Sequence, residues 1–310
     1  MSESKKNGEL RLVVVGSIGI DTIETPFEKR EDVLGGSVSY ACGAASLFAP
    51  VGMVGVVGDD FPGAFRAVYR ELGIDLAGLQ TEAGRTFRWS GVYDADMINR
   101  RTISTELNVF EHFAPRLPDA YRHAPFLLLG NISPELQLHV LSEARNPRFV
   151  VADTMDLWIN VAREPLLELL GKVDMLMLND AEARLLADRY NLRDCAEAIR
   201  SVGPRFVAIK KGEHGAMLFG DDGIFLVPAF PVGAVSDPTG AGDAFAGGFL
   251  GRLAECGDVG FAEMREALLY GAVVASFGVE EFSLDRLRRL TRAEVEERFE
   301  ELRRMMQLRP

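Results

Sequence analysis

The run Asp237-Pro238-Thr239-Gly240-Ala241-Gly242-Asp243 sets a carboxylate directly behind a glycine loop, and Ala244-Phe245-Ala246-Gly247-Gly248-Phe249-Leu250 follows it. Pro238 lacks an N–H and fixes its own φ, so the first half cannot be a helix interior. The second half has Ala241, Phe245 and Phe249 at i, i+4 and i+8, which predicts one helical face. A loop that feeds a helix N-terminus aims free backbone N–H groups and the positive dipole end at one spot, which suits phosphate. Asp243 falls in the first turn beside that spot. A carboxylate there repels an anion. It makes chemical sense if Asp243 removes a proton from a hydroxyl while the amides near Gly240, Ala241 and Gly242 hold the phosphoryl group under attack. A simple helix cap is the competing explanation. Against it stand Gly247, Gly248 and Gly251 inside the same helix. Each costs roughly 1 kcal/mol relative to Ala. They call for close approach by another backbone or by a ligand.

The elements that would position this loop alternate. Apolar β-branched runs at 10–15, 51–57, 126–129, 148–152, 173–178 and 205–210 predict strands, with helical stretches between most of them. That rhythm predicts an α/β fold with a mainly parallel sheet and helices on both faces, as one domain over 1–310. Open sheets of this kind bind ligands beyond the carboxyl ends of their strands. Asp21, Asn131, Asp153 and Asn179 fall there. Glu182 follows Asn179 by three residues and could complete a capping box. Residues 85–105 break the rhythm and predict antiparallel strands. Together with 22–34 they would make a small sheet that excludes water from the site. Arg88, Trp89, Asn108 and Phe110 become candidate acceptor contacts.

Other classes drop out. The net charge of −12 and pI near 5.0 argue against a nucleic-acid partner, which needs a basic face. The three cysteines, Cys42, Cys195 and Cys256, are too scattered for disulfides or zinc and read as reduced, buried residues of a cytoplasmic protein. The four histidines show no metal-ligand spacing. Residues 1–7 are polar and do not form a signal peptide, and no segment is long enough to span a membrane. Gly16-Ser17-Ile18-Gly19-Ile20-Asp21 lacks the full dinucleotide-binding fingerprint, and no Gly-x4-Gly-Lys-Ser/Thr loop is present.

The stretch from Asp237 to Phe249 resembles the C-terminal signature of the ribokinase-like (PfkB) carbohydrate kinases, and the rest of the chain offers that family's other motifs in order. The resemblance implies a three-layer ribokinase-like fold with a small β-sheet lid, and ATP and Mg2+ as cofactors. It leaves K+ open, at a loop containing Asp237. It implies that Asp21 holds acceptor hydroxyls and that Gly35, Gly36 and Ser37 approach the sugar. An Asn usually follows; here Tyr40 stands at or near its place, which counts against ribose itself. Asn179 and Glu182 match an Asn-x-x-Glu that supports the magnesium and phosphate network indirectly. Lys210 or Lys211 would reach phosphate oxygens, with Lys211, Gly212 and Gly215 forming a turn beside the nucleotide. Thr239 and Ser276 complete the implied ATP site.

The expected activity is ATP-dependent phosphotransfer to a hydroxyl of a small sugar-like acceptor. A nucleoside is the alternative acceptor, with Tyr40 and Trp89 stacking on its base. A ligand-binding protein without turnover is the alternative from another class. An exposed lid edge could pair two subunits in a homodimer.

Overall fold

The structure is a computed structural model that describes residues 9–307, so the expectation for the polar N-terminus lies outside the described residues. Thirteen strands form two sheets. β1 (Leu12–Val15), β4 (Val51–Gly58), β5 (Asp75–Glu82), β8 (Phe126–Leu129), β9 (Phe149–Asp153), β10 (Met175–Asn179), β11 (Phe206–Lys210), β12 (Ala216–Gly220) and β13 (Gly223–Val227) make the large one. β2 (Gly19–Glu24), β3 (Lys29–Gly35), β6 (Phe87–Tyr93) and β7 (Arg100–Glu106) make the small one.

The large sheet runs β13-β12-β11-β10-β9-β8-β1-β4-β5. It is parallel from β11 to β5, and β12 and β13 close it as an antiparallel hairpin. Every residue of β1, β4, β8 and β9 is buried, as expected of parallel strands covered on both faces.

Eleven helices do the covering: α1 (Ser37–Ala45), α2 (Gly63–Glu71), α3 (Pro134–Glu143), α4 (Asp156–Val161), α5 (Arg163–Leu170), α6 (Asp180–Ala187), α7 (Leu192–Arg200), α8 (Ala241–Cys256), α9 (Phe261–Gly278), α10 (Asp285–Arg289) and α11 (Arg292–Met305). Strand alternation divides them. Leu12, Val14, Val151, Met177 and Ala208 pack toward α1, α8 and α9, whereas Val13, Val150, Leu176 and Val207 pack toward α5 and α7. Ser133 caps α3, and Asn179 with Glu182 forms the capping box of α6.

The glycines inside α8 answer to helix packing rather than to a ligand. A Cβ on Gly247 would lie 2.1 Å from the Ala41 carbonyl of α1, and one on Gly251 would lie 2.9 Å from Ala45 Cα. Gly248 meets Gly271 and Val274 of α9 in the same way. So α8 sits backbone to backbone with α1, which fixes the height of its N-terminus over the sheet.

The small sheet runs β3-β2-β6-β7 and is mixed rather than antiparallel throughout, because β2 pairs with β6 in parallel. Its outer strand is bare: all residues of β7 are exposed. Cys42 and Cys195 are buried as expected, but Cys256 is exposed at the end of α8. Among the described residues no helix is long and apolar enough to cross a membrane.

Candidate active site

The glycine loop meets the first turn of α8 as its residue types require. Gly240 is the N-cap at φ 73°, the left-handed region, and a Cβ there would lie 2.3 Å from the Tyr40 ring. Asp237 stiffens the loop. Its Oδ1 accepts the Thr239 N–H at 2.8 Å and its Oδ2 accepts the Ser283 N–H at 3.0 Å. The carboxylate thus clasps the loop to the 283 turn, with one further lone pair on each oxygen. Among the described residues, no hydrogen bond takes the N–H of Gly240, Gly242 or Asp243. The Ala241 N–H turns back to the Pro238 carbonyl at 3.3 Å. The free amides at this helix start are therefore those of Gly240, Gly242 and Asp243, with Asp243 in place of the Ala241 expected from the sequence.

Asp243 is half-buried in the first turn of α8, beside those amides. Burial raises its carboxyl to about 7, the negative Asp153 adds to this, and Lys210 and Arg100 pull it back. A base poised near neutrality suits proton removal from a hydroxyl.

Three neighbouring strands deliver polar residues beneath the loop. Asp153, Asn179 and Lys210 end β9, β10 and β11 on the face that alternation turns toward α8. Lys210 Nζ lies 3.2 Å from Asp153 Oδ2, and a Cβ on Gly242 would lie 3.1 Å from the same nitrogen. Desolvation alone would lower Lys210. Asp153, Glu182 and Asp243 outweigh it and hold the ammonium above its ordinary value. Burial and Asp153 together raise Glu182 to about 7. One Glu182 oxygen accepts the Asn179 N–H at 2.7 Å. Lys211, by contrast, is the start of the 212–214 turn, and its N–H donates to Gly215 O at 2.7 Å. The lysine beneath the loop is Lys210. Period-two alternation from Phe206 and Ala208 is the signal that separates it from Lys211.

Asp21 comes from β2 of the small sheet. It is 4% exposed, its Oδ1 has no hydrogen-bond partner among the described residues, and burial with the nearby Asp237 raises it to about 7. Gly35 gives it room: a Cβ there would lie 1.9 Å from Oδ2. Ser37 is committed to Ser17, whose N–H donates to it at 3.1 Å, and Gly36 starts α1 at φ 94°.

Four expected contacts are engaged elsewhere. Tyr40 is only 2% exposed with its ring against Gly240, so it supports the loop and cannot stack on a base. Asn131 turns away from the lysine cluster, accepting from Trp158 Nε1 at 2.8 Å and donating to Met155 Sδ at 3.1 Å. Arg88 spans the base of the small sheet, 2.6 Å from Asp32 and 3.7 Å from Asp60. Ser276 donates to Val273 O at 2.7 Å and accepts from Arg298 at 3.0 Å. Two residues absent from the sequence reading join the site from the small sheet. Tyr93 shares a hydrogen bond with Thr239 at 3.1 Å, and the charge of Arg100, which stacks over the Trp89 ring, pulls the Asp243 carboxyl down. Arg100 follows a turn in an Arg-Arg pair, and nothing in the sequence tells which of the two faces inward.

A model of the pfkB family of carbohydrate kinases matches residues 10–287. The chain belongs to that family. This PfkB chain is 32% identical over 272 residues to the cytidine kinase of Thermococcus kodakarensis, covering 84% of this chain and 96% of that one. It is 31% identical over 237 residues to the ATP-dependent ribose-1-phosphate kinase of Halopiger xanaduensis, covering 74% and 76%. Its fold matches a nucleoside kinase of Burkholderia thailandensis solved with inosine, at TM-score 0.77 and 22% identity over 94% and 97% of the chains. Like other PfkB kinases, it is a phosphotransferase that uses ATP and a hydroxyl acceptor. The large parallel sheet, the flanking helices and the small sheet are the ribokinase-like fold.

Proposed function

We propose that this kinase phosphorylates a hydroxyl on the sugar of a small nucleoside, with Asp243 as general base. The observation that carries the mechanism is the pairing of a near-neutral carboxyl with unpaired amides at one helix N-terminus. Asp243 takes the proton of the acceptor hydroxyl. The freed oxygen attacks the γ-phosphorus of ATP in line, the bond to the β–γ bridging oxygen breaks, and ADP leaves. The N–H groups of Gly240, Gly242 and Asp243 hold the transferring oxygens. Asp21, with an unpaired buried oxygen, binds the acceptor's remaining hydroxyls.

Magnesium fits the oxygen-rich surroundings of Asn179 and Glu182. Among the described residues no cluster of three or more carboxylate, His or Cys groups would cage a metal, which suits an ion held mainly by phosphates. When bound it neutralises phosphate charge. Each Asp237 oxygen accepts one N–H and keeps a lone pair that K+ could use, but no step of the mechanism depends on one.

A nucleoside ranks ahead of a simple sugar because the similar chains include a cytidine kinase matched along nearly its whole length. A phosphorylated ribose is the second reading, favoured by the likeness to the ribose-1-phosphate kinase. The test is acceptor-dependent ADP release across nucleosides, sugars and ribose 1-phosphate, with Asp243→Asn as control. Turnover should peak on a nucleoside and fall on the order of 10³-fold in the variant. Turnover at the wild-type level in Asp243→Asn would sink the mechanism, and a preference for free sugars would sink the acceptor.

A further inference from the structure

The mechanism leaves Asp153 and Lys210 unused, although they form a largely buried ion pair directly under the catalytic loop. Their side chains are 8% and 16% exposed, and 3.2 Å separates the charged atoms. Burying such a pair is costly, and in bare stability terms apolar residues would often serve as well. The site holds this one firmly. The Asp153 carbonyl accepts the Gln137 amide at 2.9 Å, and the same amide reaches Leu129 O at 3.1 Å and Gly130 O at 2.9 Å. Asp153 Oδ1 accepts the Thr154 N–H at 2.8 Å. Lys210 ends β11 in register with Asn179, and its Nζ comes within 3.1 Å of the position a Gly242 Cβ would take. Asp243 is the next residue.

We propose that Asp153 and Lys210 are positioning residues that set the charge state of Asp243 from opposite sides, Lys210 favouring its carboxylate form and Asp153 opposing it. The idea deepens the general-base reading and rests on it. It gives Asp153, expected from the sequence only as a group on the ligand-binding edge of the sheet, the part of a tuner. The groups facing Asp243 can be named element by element: Asp153 from β9, Lys210 from β11, Arg100 from β7 and the Tyr40 phenol from α1. Glu182 of α6 adds a second negative charge beside Lys210. Burial sets the base high, Asp153 raises it further, and Lys210 and Arg100 lower it. A pair of opposite charges at unequal positions lets the site hold its base near neutrality without exposing it to water.

The two members of a merely structural salt bridge should behave alike when either is removed. Here they should behave oppositely. The measurement is the titration of the Asp243 carboxyl in full-length, ligand-free protein labelled with 13C at aspartate side chains, its signal assigned by loss in Asp243→Asn. Lys210→Met should move the midpoint up by about one pH unit, and Asp153→Asn should move it down by up to about one. The double variant should return it close to the wild-type value, since the two opposing charges leave together. The acid limb of kcat/KM should shift in the same order.

Equal shifts in one direction, or no shift in either single variant, would overturn the proposal. If Lys210→Met does not fold, the isosteric Asp153→Asn decides alone: a downward shift supports the idea, and an upward or absent shift ends it. Failure of the general-base reading shows separately, as wild-type turnover in Asp243→Asn, whatever the titrations show.

Discussion

The nine-stranded sheet and the four-stranded sheet hold their functional groups in different ways. The large sheet buries its central strands completely, and α8 above it is locked to α1 through a backbone contact that admits no side chain. Asp153, Lys210 and Asp243 therefore stand in place before any ligand arrives. The small sheet shows all of β7 to solvent; Ile20 and Leu34 join the main core, and the sheet's separate buried cluster is limited to Ile23 and Tyr93 with Phe282. Polar links at residues far apart in sequence tie it to the catalytic loop. Tyr93 bonds Thr239, the Ser283 hydroxyl donates to Leu34 O, and the Ser283 N–H donates to Asp237. A charge-stabilising site needs preorganisation, and a site that admits substrate and excludes water needs an element of low local stability. The chain divides these demands between its sheets.

The largest expected effect breaks the rigid half. Gly247→Ala drives a methyl group to 2.1 Å from the Ala41 carbonyl, with backbone on both sides and no flexible tip to yield. Overpacking of this kind costs about 1–3 kcal/mol or more, and α8 must tilt or lift. The melting temperature should fall by about 5 °C or more, and turnover should drop because the amide hole leaves its station over Lys210. The matched change on β7, Ser104→Ala, should move the melting temperature by less than about 1 °C. Equal effects at the two positions would show that the sheets do not differ in rigidity.

Much of this division was legible in the sequence. Strand runs such as Leu12-Val13-Val14-Val15 and Phe126-Leu127-Leu128-Leu129 cannot face water on either side, so the parallel sheet follows from them. The glycine loop with Asp243 behind it was legible because its residue types are costly unless the backbone bends there. Asn179 and Glu182 were legible as a capping box for the same local reason. What hid was tertiary. The α8 glycines demand close approach, but only the fold shows that α1 and α9 supply it. Lys210 and Lys211 are chemically identical neighbours, and only the strand's period assigns one of them to the loop. Tyr40 and Asn131 looked available because a sequence does not show which layer has already claimed a side chain. Arg100 and Tyr93 reach the site across 143 and 146 positions from Asp243 and Thr239, and no local pattern encodes such a contact.

The intermediate effect tests what the small sheet contributes to chemistry. Arg100 is exposed on β7, yet its charge lowers Asp243. Arg100→Met should lower the melting temperature only slightly, because the exposed side chain's contacts are a stack over Trp89 at 5.7 Å and a link to Tyr93 within the small sheet. It should lower kcat about tenfold and move the acid limb of kcat to higher pH, because a positive charge that favours the carboxylate is gone. A variant with normal kcat and an unmoved limb would confine the catalytic electrostatics to the large sheet.

The smallest effect sharpens the comparison most. Tyr93→Phe removes one hydroxyl and with it the 3.1 Å bond to Thr239, leaving the ring in its packed position. A neutral hydrogen bond contributes about 0.5–1.5 kcal/mol, so turnover should change only a few-fold. Amide exchange is the finer readout. Loss of the link should speed exchange in β6 and β7 while β8, β9 and β11 keep their protection, because those parallel strands are buried inside the large sheet, and of the small sheet it is β2 and β3 that send Ile20 and Leu34 into the same core. Faster exchange in both sheets would mean that they open as one unit. The large sheet would then owe part of its order to the small one.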